Sequence, residues 1–193
     1  MGQVRRSRFS RMEKIAAPMF IILAVWAVYS FTQPSPNSTK ITYSSAVSLT
    51  QSNNLPDFTL PVVGSNGLTG QSVTFSSFRG KVILLEFMES SCSHCEAMAP
   101  VLATLNSEYG SNVVLLSVVG PWNGVTAQDA AGFVQKYGVT WTIVYDSSGI
   151  VFSNYGVQAT PTFFIISREG SISSTFQGEQ KHDTLAGAIS AAA

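Results

Sequence analysis

KVILLEFMESSCSHCEAMAPVLATLNSEY, residues 81–109, decides the fold. Residues 81–88 form a short apolar run with β-branched members, the pattern of a strand buried on both faces. Residues 96–109 carry Ala97, Val101, Leu102 and Leu105 at helical spacing. Between the two stands Cys92-Ser93-His94-Cys95, which holds both cysteines of the chain. A cysteine at a helix start meets unpaired N–H groups and the positive end of the helix dipole, and both favour thiolate. Cys92 takes that place as nucleophile. Cys95, three residues on, shares its helix face and can displace a substrate thiol from a mixed disulfide. Ser93 and His94 tune the couple, since an imidazolium near Cys92 would stabilise its thiolate and make the pair more oxidising.

Other uses of two cysteines are weaker. A zinc site needs three or four ligands, and only His94 and His182 are available beside the cysteines. Haem attachment requires a histidine after the second cysteine, where Glu96 stands. A purely structural disulfide over so short a loop would constrain few unfolded conformations. A copper-delivery module would use the two soft thiolates, but no third ligand is clearly placed. A peroxidase would set its cysteine apart from a CxxC pair. Dithiol exchange requires no cofactor, because the two sulfurs carry both electrons.

The chain has 193 residues, 45% hydrophobic and 11% charged, enough for one ordinary core with extra segments. Residues 1–14 are basic, with Arg5, Arg6, Arg8, Arg11 and Lys14. They precede 17 residues without a charge, 15–31. A transmembrane anchor over 15–32, with a cytoplasmic N-terminus and everything after it exported, follows from that order. The run lacks the A-x-A-like end of a cleaved signal, and Arg8-Phe9 is spaced wrongly for a twin-arginine signal. Residues 33–54, rich in Ser, Thr, Asn and Pro, read as a flexible tether containing the sequon Asn37-Ser38-Thr39. From residue 33 onward six basic and ten acidic residues leave a net charge of −4, with no basic run, which argues against nucleic-acid binding. Disulfides persist outside the cytoplasm, so an outward-facing CxxC domain would act on exported thiols.

In residues 55–193 the pattern predicts a hairpin over 58–63 and 72–75, a strand over 112–119, a helix over 126–137 and a short strand over 142–145. A second hairpin over 162–167 and 171–176 and a closing helix over 181–191 complete an α/β domain with a mixed central sheet flanked by helices.

Four stretches give this pattern a family: Gly80-Lys81-Val82-Ile83-Leu84, Leu85-Glu86-Phe87, Cys92–Cys95, and Tyr155-Gly156-Val157-Gln158-Ala159-Thr160-Pro161-Thr162-Phe163. On them, residues of about 55–190 resemble the membrane-anchored TlpA/ResA group of thioredoxin-like proteins, relatives of the DsbE type. The resemblance implies a thioredoxin-like fold with an extra strand–helix segment at 112–137. It implies thiol–disulfide exchange with exported proteins and a membrane redox partner that recharges the pair. Thr160 and Pro161 then form a cis-proline loop that faces the cysteines and pairs with an extended substrate segment. Glu86 stands where thioredoxins bury an acid beneath the site, and would accept the Cys95 proton. Two positions depart from the pattern. Ser91 replaces the tryptophan usual before the first cysteine, and Met98 replaces a ResA-type glutamate. Trp122 reads as a core or loop residue, Glu89 as solvated, and His182 as a surface residue near the start of the last helix.

Overall fold

The computed structural model describes residues 55–193. The anchor and tether expected over 15–54 lie outside them, and among the described residues no helix is long and apolar enough to cross a membrane. The elements are β1 (Thr59–Gly64), β2 (Gly67–Thr74), β3 (Val82–Met88), α1 (Ser93–Tyr109), β4 (Val113–Val119), α2 (Ala127–Tyr137), β5 (Thr142–Tyr145), α3 (Ile150–Asn154), β6 (Thr162–Ile166), β7 (Ile172–Gln177) and α4 (His182–Ala191). They build one seven-stranded mixed sheet in the order β2-β1-β5-β4-β3-β6-β7.

β3 lies inside the sheet, parallel to β4 and antiparallel to β6, and all seven of its residues are buried. Because side chains alternate along a strand, β3 feeds two cores. Val82, Leu84 and Met88 pack with Cys95, Met98, Leu102 and Leu105 of α1 and with α2 and α4. Ile83, Leu85 and Phe87 face the other way, into a cluster with Phe58, Phe75, Phe152, Tyr155 and Phe164. Glu86 shares the parity of Leu84 and Met88, so the strand itself aims a carboxyl at the α1 side of the sheet.

Several elements differ from the sequence expectation. β2 begins at Gly67 rather than 72, since edge pairing to β1 accepts a Gly-rich stretch that pattern reading assigns to a turn. A 3-10 turn, Phe75–Phe78, follows it. α3 has only five residues and no helical period to reveal it. α2 starts as expected behind Thr126, whose side chain accepts from the Asp129 N–H while Asp129 accepts from the Thr126 N–H. Gly120 leads from β4 into the loop before α2. A Cβ there would lie 2.7 Å from Phe152 Cζ, inside contact distance. Gly120→Ala should therefore cost about 1–3 kcal/mol in urea unfolding, and an unchanged midpoint would show that Phe152 yields freely.

Candidate active site

The loop from β3 to α1 carries Cys92 to the helix end as its N-cap residue, with extended φ/ψ. Its Sγ accepts the Cys95 N–H at 3.4 Å, one of the N–H groups a helix start leaves unpaired. The Cys92 thiol also donates to the Thr160 carbonyl, at 3.6 Å. Topology brings that carbonyl there. β6 runs antiparallel to β3, pairing Phe87 with Thr162 and Glu86 with Phe163, so the start of β6 meets the end of β3. The Thr160–Pro161 peptide immediately before β6 is cis.

The two thiols sit in different electrostatic surroundings. Both are free. Burial pushes the half-buried Cys92 thiol up, but hydrogen bonds from the Cys95 thiol and N–H, the Thr160 side chain and the His94 N–H outweigh it and hold the group below the ordinary thiol value. Cys95 is 0% exposed, and its thiol is pushed well above that value. Burial is the first cause, then its contact with Cys92; the negative charge of Glu86 adds to both. One thiol is thus poised to ionise while its neighbour holds its proton.

Glu86 is 2% exposed, and burial raises its carboxyl to about 7, against a lowering from Ser117. Ser117 is its register partner on β4 and donates its hydroxyl to Oε2. The same Ser117 oxygen accepts from Trp141 Nε1 at 2.9 Å. Among the described residues Oε1 has no hydrogen-bond partner.

Glu89 corrects the expectation of a solvated side chain. It is 2% exposed, and Oε1 accepts the Trp122 N–H at 3.0 Å, under the 3-10 turn Trp122–Gly124. Burial raises this carboxyl also to about 7, with the Trp122 bond opposing. Its hidden signal was Trp122 itself, 33 residues away and joined through the backbone, which leaves no sequence pattern. The Trp122 ring packs on Phe152, centroids 4.9 Å apart, as a core-flanking residue.

The ring and the backbone of His94 meet different partners. Nδ1 lies 2.6 Å from Glu179 Oε1 on the surface, so His94 reaches Cys92 through its N–H. Ser93 opens α1 in an exposed position. Met98, one of the two departures from the family pattern, is buried and accepts the Gln180 N–H on its sulfur at 3.2 Å, a structural contact. His182 begins α4 and spans Glu108 and Asp183, tying α4 to α1. Among the described residues no three His, Cys, Asp or Glu side chains gather as metal ligands.

Residues 50–190 match the Redoxin family model. The chain belongs to the Redoxin family. It is similar to the thiol–disulfide oxidoreductase ResA of Oceanobacillus iheyensis, 30% identical over 68% of this chain and 67% of the relative. Among solved structures, a Chlorobium tepidum candidate thiol:disulfide interchange protein DsbE superposes with a TM-score of 0.63 at 27% identity, over 72% of this chain and 94% of the other. The exposed lipoprotein thioredoxin of Streptococcus pneumoniae gives 0.58 at 28%, over 70% and 99%. This Redoxin-family chain is a TlpA/ResA-like protein of thioredoxin fold, and a thiol–disulfide oxidoreductase.

Proposed function

We propose that the protein is tethered to the membrane by residues 15–32, with residues 1–14 cytoplasmic, and that its domain at 55–193 exchanges disulfides with exported polypeptides. One observation carries the chemistry: adjacent thiols of opposite proton affinity lie against a cis-proline loop. The Cys92 thiolate attacks a substrate disulfide, forming a Cys92–substrate bond and expelling the first substrate sulfur as thiolate. Cys95 then gives its proton to Glu86 and attacks Cys92 Sγ, expelling the second sulfur and leaving the Cys92–Cys95 disulfide. Two electrons pass from the pair to the substrate, and every step reverses when the substrate is the dithiol. Thr160 and Pro161 present the backbone edge along which a substrate strand lies. A membrane redox partner resets the pair, and its potential sets the direction.

The basic segment before the apolar run supports the outward placement, as does the likeness to the pneumococcal exposed lipoprotein thioredoxin. Two measurements test the proposal. In glutathione buffers the pair should titrate as one two-electron couple, and a dithiol that never exchanges would refute the chemistry. In right-side-out membrane vesicles, added protease should digest the domain; a protected domain would refute the outward placement.

A further inference from the structure

At the end of the sheet opposite the cysteines lies a cavity of about 310 Å³. Antiparallel pairing builds it: Ile83 at the start of β3 faces Ile166 at the end of β6, so the 79–81 turn meets the 167–170 turn. Leu55, Phe78 and Ile166 contribute apolar wall, and Arg79, Lys81 and Arg168 stand on it, exposed. The described residues contain five lysines and arginines against ten acidic residues. Three of those five cations therefore line one cavity on an otherwise anionic body. None of the three lies within 4.0 Å of a carboxylate oxygen among the described residues, whereas Lys136 is paired with Glu96. Two acids share the wall. Asp57 is occupied by the N–H groups of Phe58 and Ser76, and Glu169 sits on the turn beside Arg168. No basic run announces this cluster in the sequence, because residues 79 and 168 meet only through the sheet.

We infer that this cavity and its rim are the membrane-docking face of the domain, seating anionic phospholipid headgroups against Arg79, Lys81 and Arg168. The inference rests on the tethered reading above. The chain coming from the anchor enters the domain at Leu55, on the cavity wall itself. Against a leaflet that carries anionic phospholipid, a body of net negative charge is repelled everywhere except at such a patch. The seven residues of β3 then hold Cys92 about 20 Å away, on the side facing exported substrates.

The test reconstitutes the full chain into nanodiscs of phosphatidylcholine alone, or of phosphatidylcholine with phosphatidylglycerol, and follows amide exchange at residues 75–81 and 166–170. Protection should appear only with phosphatidylglycerol and fade at high salt. Each cation near such a surface contributes about a fivefold change in partition, so Arg79→Gln/Lys81→Gln/Arg168→Gln should lose about a hundredfold. That variant should keep its glutathione titration, and the lipid and salt arms need no substitution at all. Equal exchange in both discs would overturn docking and leave the tether standing. A chain that enters neither disc would overturn the tether and docking with it. Equal protection by soluble glycerophosphate without lipid would make the cavity a site for a free anion, and would also overturn docking.

Discussion

Cys95→Ser should convert the protein from a catalyst of exchange into a trap. Cys92 keeps its helix-end position and its access to solvent, so it attacks a substrate disulfide and becomes linked to it. Release then depends on an external thiol instead of one held at the neighbouring turn, and turnover should fall about 10³-fold or more. Mixed disulfides should accumulate and appear as reducible adducts at residue 92 in non-reducing mass spectrometry. The asymmetry is the informative part. Cys95 is 0% exposed and its thiol is raised by burial, so Cys92→Ser should yield almost no adduct. Adducts of equal yield from the two variants would overturn the assignment of nucleophile and resolver.

The strand, the turn and the helix that frame Cys92 and Cys95 were legible in residues 81–109, because they are local patterns. The paired strands were legible for the same reason. What the sequence hid is whatever the sheet joins across distance. Ser117 lies opposite Glu86 only because β3 and β4 run parallel in that register, and Trp141 reaches the same hydroxyl from the segment before β5. Glu89 looked like an ordinary loop carboxylate until the turn at Trp122 closed over it. The His94 ring meets Glu179, 85 residues on, a partner that no local pattern announces. The resemblance supplied the Thr160–Pro161 loop, which local propensity would read as an ordinary turn proline.

Glu86→Gln should move activity and stability in opposite directions. Resolution requires Cys95 to lose its proton inside the core, and Glu86 is a buried carboxyl raised to about 7, suited to accept it near neutral pH. Glutamine keeps the volume and an acceptor for Ser117 but cannot take the proton. The resolution rate should fall about 10²-fold or more at neutral pH, and an inflection near 7 in its pH profile should vanish. An unchanged rate and profile would refute the relay. Stability follows the opposite sign. The folded carboxyl titrates near 7 and the unfolded one near 4.5, so the fold favours the protonated form. Its contribution is full below 4.5 and is lost as pH rises through 7, to a total of about 3 kcal/mol. The glutamine variant carries no such loss, so it should match wild type near pH 4 and exceed it by a few kcal/mol above pH 8. Glu89 is raised to the same region by the same cause, so one substitution should remove only part of the wild-type slope. Glu86→Gln/Glu89→Gln should lose most of the wild-type slope between pH 5 and 8 in urea-unfolding free energy; what remains comes from His182, whose imidazole Asp183 and Glu108 hold above its ordinary value. Only the Glu86 substitution should slow resolution, because Glu86 is the carboxylate whose charge acts on Cys95.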